Sequence, residues 1–440
     1  MTTFNVVILD AYKPSRYRIS KDTCGGYGTE NDFGYGFIPN MLSFVAKHSL
    51  FWSPLAVLNL ISEFKNNNLF DTTYTSNPES IGESTDYLFI SSSIVCCNYE
   101  LEVVKKIKQN FPKIKIFAFG SFVDFYKDRY LELGAAVIIG EPEFLFQNYK
   151  IDSKNLNLLF ANKIISITKR DPNNLAPPLW STETDVHSKN FLFGYKNGYA
   201  PIIATRGCPY SCYEYCVYPL QQGRKINAAD PEKIISDIEF INTNTKIKNF
   251  VYRDPVFSIN RKYTDQLVSA MSKLENKYEF TIETHLNNID SQLAEDFSNA
   301  NIKWVKFGIE SAIDDVKSNV NRYSLNNDDQ FKRVEYCRNN KIKTVAMYIL
   351  CQPDDNFETH RKTIEYAKLL RTNLAQFSIF TPYPGTPYYK KNKDLINDFD
   401  FENFNQYNLV FKHNIFNKDS AKRELGKAYS KYYLNKLKVW

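Results

Sequence analysis

The sequence predicts an α/β protein with two units in tandem. A Rossmann-like parallel-sheet domain spans residues 1–150, a linker 151–196, a partial (β/α)6 barrel 197–392, and a helical extension 393–440. Three observations predict this. Short apolar runs alternate with amphipathic helix-length stretches along most of the chain, an order that implies parallel sheets covered by helices. Beyond residue 197 there are six such strand–helix units, too few for an eight-fold barrel. Three cysteines, Cys208, Cys212 and Cys216, stand just after the first of those strands.

In the first unit, Phe4–Leu9, Tyr87–Ile90, Ile114–Phe119 and Ala135–Ile139 are apolar runs of strand length. Between them, Pro54–Phe64 and Leu101–Gln109 carry apolar residues at helical spacing, and Tyr130–Leu133 is a helical fragment. The turns Asp171-Pro172-Asn173-Asn174 and Ala176-Pro177-Pro178 mark the linker. The barrel strands are expected at Ile202–Thr205, Lys248–Tyr252, Phe280–Thr284, Val305–Ile309, Thr344–Leu350 and Gln376–Phe380. Helices are expected at Pro231–Ile241, Tyr263–Leu274, Gln292–Asn299, Asp328–Asn339 and Phe357–Arg371. The tail from Asp419 is basic and helical, with Leu425, Tyr429, Tyr432 and Tyr433 placed to cover a core face.

At 440 residues one core does not suffice, and 43% hydrophobic with 24% charged residues is a soluble balance. The net charge of +6 is small and scattered, which points away from nucleic acid. The start of the chain lacks a basic n-region and a long apolar run, and no stretch of about 18 apolar residues exists, so no signal peptide or membrane span is expected. Eight cysteines, three of them clustered, suit a reducing cytoplasm better than a disulfide framework.

The cysteine run reads Thr-Arg-Gly-Cys-Pro-Tyr-Ser-Cys-Tyr-Glu-Tyr-Cys. A disulfide would strand one thiol, and a structural zinc site wants four ligands. A 4Fe-4S cube held by three cysteines keeps one iron open for a small molecule, and is the best reading; zinc and an accidental grouping are the alternatives. Polar residues also stand just past the later apolar runs: Asp254, His285, Glu310 with Ser311, Gln352 and Tyr383. In a barrel of this kind those positions share the C-terminal face, where active sites form. In the first unit the corresponding ends carry Ser91-Ser92, Gly120-Ser121 and Gly140-Glu141, small or acidic residues that let a ligand approach the backbone. A glycine-rich segment from Gly25 to Gly36 reads either as a substrate lid or as a plain loop.

The chain resembles the radical SAM superfamily, and within it the members carrying an N-terminal cobalamin (B12)-binding-type domain. The matching residues are the Cys208 run, Arg253-Asp254-Pro255-Val256-Phe257, Gly308-Ile309-Glu310-Ser311, Pro382 to Pro387, and the acidic turn Gly140-Glu141-Pro142-Glu143. The resemblance implies a 4Fe-4S cluster on Cys208, Cys212 and Cys216 that cleaves S-adenosylmethionine (SAM) reductively to a 5′-deoxyadenosyl radical. It implies SAM or substrate contacts from Tyr215, Asp254, His285, Glu310, Ser311, Gln352 and Tyr383. It implies possible cobalamin contacts from Ser91, Ser92, Gly120, Ser121, Gly140 and Glu141. The expected function is a cobalamin-dependent C-methyltransferase on a small molecule or peptide, served by an electron donor such as flavodoxin or ferredoxin. The alternative is a radical SAM enzyme without cobalamin that rearranges, cyclises or oxidises its substrate, or transfers another SAM fragment.

The sequence departs from the family pattern in three places. The second cysteine gap has three residues rather than two, and a continuous helix would separate Cys208 from Cys216 by about 12 Å, so the segment has to coil. No Asp-x-His-x-x-Gly run offers a lower ligand to cobalt, and Phe119-Gly120 replaces a glycine pair.

Overall fold

The first sheet is built around strand β1 (Phe4–Leu9), which lies between β2 (Phe70–Thr75) and β3 (Tyr87–Ser91). The sheet continues through β4 (Lys115–Phe119), β5 (Ala136–Ile139) and β6 (Ile164–Ser166), all parallel, in the order β2-β1-β3-β4-β5-β6. The computed structural model describes residues 3–15, 17–21, 26–48, 53–181, 198–274, 276–322 and 324–437. Strands buried on both faces read as continuous apolar runs, which is why β3 and β4 were legible. One face packs Val6, Ile8, Phe89 and Phe117 against helices α2 (Leu55–Lys65) and α5 (Ser153–Asn162). The other packs Ile90, Ile116 and Val137 against α3 (Cys97–Asn110) and α4 (Val123–Glu132).

Two strands of this sheet depart from expectation. β2 and β6 are its edges; β2 alternates buried with exposed residues in Phe-Asp-Thr-Thr-Tyr-Thr, and β6 has three residues, so neither presents an apolar run. The segment expected as a linker from 151 thus carries α5 and β6, and β6 pairs with β5 from Val137–Ile164 to Ile139–Ser166.

The second sheet holds β7 (Tyr199–Ile202), β8 (Asn249–Tyr252), β9 (Glu279–Glu283), β10 (Ile302–Glu310), β11 (Lys343–Leu350) and β12 (Leu374–Ile379). They pair in chain order, all parallel, with β7 and β12 at the edges, as a partial (β/α)6 barrel requires. The crossovers are α6 (Pro231–Thr245), α7 (Arg261–Ser272), α8 (Ser291–Asn299), α9 (Asn327–Asn339) and α10 (Phe357–Leu370). Side-chain caps from Asn260, Asp290, Asn326 and Asn356 start four of them, each accepting from a backbone N–H of the first turn.

The tail forms α11 (Lys418–Leu437) and lies along edge strand β12. An edge strand presents unpaired backbone groups that must be covered. Three tyrosine hydroxyls do so: Tyr429 accepts from the Phe377 N–H (3.0 Å) and donates to its carbonyl (2.8 Å), while Tyr432 and Tyr433 donate to the Thr372 and Ala375 carbonyls. The opposite side of α11 is crossed by residues 34–36, which precede α1 (Phe37–Lys47). A Cβ on Gly426 would stand 2.0 Å from the Tyr35 carbonyl, and one on Gly34 2.5 Å from the Lys422 carbonyl.

Gly426→Ala is therefore expected to cost about 1–3 kcal/mol by forcing these backbones apart. Gly82→Ala, whose Cβ would meet nothing within 4 Å, is the matched control. Thermal melts should show a lower midpoint for Gly426→Ala alone.

Candidate functional site

The loop that carries the cysteines is held at both ends before any cofactor is considered. It leaves β7 and makes a short antiparallel pair, Thr205–Arg206 with Asn227–Ala228. Buried Asp254, just past β8, accepts from the Ala204 N–H (2.9 Å), the Thr205 N–H (2.7 Å) and the Thr205 hydroxyl (2.6 Å). Arg206, 2% exposed, donates to Glu141 at 2.7 Å and to Glu143 at 3.2 Å across the domain boundary. Gly207 follows at φ +88°, where a Cβ would stand 2.1 Å from the Lys225 carbonyl, so only glycine lets the strands close here. Cys208 N–H then donates to the Gly223 carbonyl, and Cys216 N–H to the Cys212 carbonyl across a short helical turn, Ser211–Glu214. The longer Cys212–Cys216 gap is thus taken up by that turn, and the run coils as its spacing demanded.

All three cysteines line one cavity of about 140 Å³. Tyr215, His285, Glu310 and Arg322 line it with them. Among the described residues no three His, Cys, Asp or Glu side chains close on a point that would seat a single ion. A hydrogen bond from Cys216, and then the Arg322 guanidinium, hold the Cys212 thiol down to about 6, while Cys216 is pushed well up by the same pairing and by burial. Arg322 reaches Cys212 Sγ at 3.9 Å and Glu310 Oε1 at 3.3 Å. The register of β10 shifts between Gly308 and Glu310, and Glu310 takes φ +65°, which turns its carboxylate back over Gly308. A Cβ on Gly308 would stand 2.3 Å from that carboxylate, so the carboxylate keeps this position only beside a glycine. Burial raises the Glu310 carboxyl against the pull of Arg322.

A second cavity of about 350 Å³ shares Tyr215, Cys216, Glu283, Gly308 and Glu310 as a common wall with the first. Tyr383 lines it, edge-on to Tyr27 at 5.5 Å, as do Gly26 and Thr29 of the glycine-rich segment; Gly25 lies outside the described residues.

Three expected contacts do not reach either cavity. Asp254 faces the cysteine loop instead, and burial lifts its carboxyl to about 6 despite the three donors. Ser311 is turned into the core, sharing a hydrogen bond with Thr363 at 3.3 Å. Gln352 is 1% exposed and bonded back to the Ile349 carbonyl. Arg322 was the contact that sequence reasoning missed; it lies in a polar loop after β10 with no apolar run to mark it.

Ser91, Ser92, Gly120, Ser121, Gly140 and Glu141 all line a cleft of about 60 Å³ between the first sheet's strand ends and the cysteine loop, where Arg206 and Gln222 face them. Glu141 is taken up by Arg206 and Arg170. Gly120, at φ +122°, is pressed so closely that a Cβ would stand 2.3 Å from the Ser92 carbonyl. The order of the sheet reverses between β1 and β3, the usual ligand crevice of such folds. Lys21 fills it: its ammonium donates to the Ala11 and Ser91 carbonyls and pairs with Asp10 and Glu100, all fully buried.

With this geometry established, residues 202–367 match the family model "Radical SAM superfamily". The barrel is a radical SAM domain. Bacteriochlorophyllide d C-12(1)-methyltransferase of Chlorobaculum tepidum is 25% identical over 286 residues, covering 63% of this chain and 59% of that protein. Anaerobic magnesium-protoporphyrin IX monomethyl ester cyclase of Cereibacter sphaeroides is 24% identical over 294 residues, 64% of this chain and 47% of that protein. The chain spans about half to three fifths of the length of the curated relatives it matches. Among solved structures, the radical SAM methyltransferase TsrM of Kitasatospora setae aligns with TM-score 0.64 at 12% identity, covering 88% of this chain and 75% of that one. The cobalamin-dependent radical enzyme OxsB aligns with TM-score 0.66 at 12% identity, covering 94% and 64%. The described residues share their fold, a parallel-sheet first domain joined to a radical SAM barrel. No helix among the described residues is long and apolar enough to cross a membrane.

Because its thiol is depressed, Cys212 should be a thiolate above about pH 6 in the cluster-free protein. Anaerobic alkylation with iodoacetamide should therefore rise through about pH 6 and level off near neutrality at Cys212. Arg322→Gln removes a cation that favours the thiolate, so its rise should move to higher pH. Peptide mass spectrometry reads each cysteine separately.

Proposed function

We propose that this chain is a radical SAM enzyme that methylates carbon on a small molecule or peptide held in the 350 Å³ cavity. The observation that carries the reading is the shared wall. Cys216, Tyr215 and Glu310 belong to the cysteine-lined cavity and to the larger one, so whatever the thiols hold lies against whatever the larger cavity holds. Methyl transfer is supported by the relatives, since the curated Chlorobaculum tepidum enzyme and TsrM are both methyltransferases.

When bound, a reduced 4Fe-4S cluster with SAM supplies the one-electron cleavage that yields a carbon radical able to abstract hydrogen from unactivated carbon. The protein's own residues do the rest. Cys208, Cys212 and Cys216 would hold the cluster. Arg322, 3.9 Å from Cys212 Sγ, would offer a guanidinium to a carboxylate, and Glu310 would accept from amine or hydroxyl donors. Tyr215, 5.8 Å from Phe380, offers an aromatic face on the common wall. Seven cysteines among the described residues are free thiols, in keeping with a reducing compartment and a flavodoxin or ferredoxin donor.

Two readings of the methyl source remain distinct. A corrinoid carrier is supported by the OxsB and TsrM likeness, and requires Lys21 to withdraw from the strand ends. A cobalamin-free reaction is favoured by the Lys21 network itself, which occupies the crevice with buried, mutually satisfied charges.

Anaerobically reconstituted protein should release 5′-deoxyadenosine from SAM on reduction, and Cys216→Ala should abolish release together with stable cluster. Hydroxocobalamin retained at one equivalent after gel filtration supports the corrinoid reading. None retained, with SAM still cleaved, supports the cobalamin-free one. A folded, cluster-loaded wild type that leaves SAM intact would defeat both.

A further inference from the structure

The larger cavity gathers positive charge from three separate parts of the chain. Arg18 comes from the N-terminal hairpin strand Arg18–Ser20, Arg253 follows β8, and Lys306 stands on β10; all three line the cavity. Its acidic lining residues are Glu283 and Glu310, and Glu310 is already paired with Arg322 at 3.3 Å. One carboxylate, Glu283, thus stands with three cations.

These cations are close enough to repel one another. Burial, then Arg253 and Arg18, hold the Lys306 ammonium down to about 8, with Glu283 opposing; burial and then Arg253 hold Arg18 down to about 10. Bringing like charges together from three elements costs stability. A site that binds an anion offsets that cost. Two guanidinium groups and an ammonium match the planar or tetrahedral oxygens of carboxylate and phosphate groups. Neutral donors and acceptors, among them Ser20, Thr29, Asn31, Gln376 and Ser378, complete the wall for the rest of such a molecule.

The set is distinct from the cation expected to meet SAM. Arg322 lines only the cysteine cavity, whereas Arg18, Arg253 and Lys306 line only the larger one. We propose that the substrate of this enzyme is an anion, held through a phosphate or carboxylate group by Arg18, Arg253 and Lys306, with its reacting carbon toward the wall shared with Cys216. This rests on the radical SAM reading of the adjoining cavity.

The test uses full-length, anaerobically reconstituted protein saturated with SAM, and titrates it calorimetrically with inorganic pyrophosphate and, separately, malonate. At least one should bind saturably, and the tighter of the two identifies phosphate or carboxylate as the recognised group. Binding should weaken about ten- to hundredfold in Lys306→Met and in Arg18→Met, the loss expected for one charge-assisted contact, and should largely survive in Lys306→Arg. Iron content and thermal midpoint report whether each variant has folded, and Lys306→Gln replaces any that has not. The proposal fails if neither anion binds the wild type, if the neutral variants bind as well as it does, or if SAM displaces the anion. Wild type that cleaves SAM yet binds neither anion overturns this inference alone. Wild type that binds an anion and never cleaves SAM overturns the radical reading alone.

Discussion

The cysteine loop is fixed by charges that the protein buries on its behalf. Asp254 accepts three hydrogen bonds at the loop's entry, and Arg206, two residues before Cys208, locks onto Glu141 and Glu143 of the first domain. Burial and Glu141 both push the Glu143 carboxyl up, against the pull of Arg206 and of a backbone hydrogen bond. Breaking such a buried set leaves an uncompensated charge at a cost of about 3–5 kcal/mol. The same contact does two jobs. It positions the thiols, and it sets the strand ends of the first sheet against the loop that carries them. The cavity of the thiols, the larger cavity beside it and the first domain's cleft are therefore parts of one arrangement.

Much of this was legible in the residues. Buried strands such as Tyr87–Ser91 and Lys343–Leu350 are apolar runs of the right length, and helix starts carry their caps. The cysteine spacing demanded a coil, and a single short helical turn supplies it. What remained hidden depends on tertiary placement. Edge strands β2 and β6 lack apolar runs. Asp254, Ser311 and Gln352 stand just past strands as expected, but position along the chain does not say which way a side chain turns. Glu310 turns into the cavity because of a register shift and a left-handed backbone, whereas its neighbour Ser311 is turned into the core. Arg322 and Lys306 gave no signal of their own, because a cation in a loop or on an alternating strand ordinarily faces water.

The first domain shows how a fold and its ligand crevice can part company. All six residues expected to face a cofactor do line one cleft, so the topology is intact. Yet the crevice at the reversal of strand order is filled by Lys21, whose ammonium is satisfied by two carbonyls and two carboxylates. Lys21 lies between the paired strands Arg18–Ser20 and Thr29–Asn31, and nearby Tyr27 donates to the Pro384 carbonyl at 2.8 Å and packs on Phe122 and Tyr383. Lys21 lies in the first domain's crevice, while Arg18 and Thr29 line the larger cavity.

Cys208, Cys212 and Cys216 would hold a 4Fe-4S cluster beside the wall that their cavity shares with the larger one. Electron paramagnetic resonance of the reduced, reconstituted protein, recorded before and after adding SAM, tests it most directly. A 4Fe-4S signal that shifts on SAM binding is expected, because SAM would occupy the open iron. A reduced cluster whose signal is unchanged by saturating SAM, or the absence of any such cluster after full reconstitution, would contradict it.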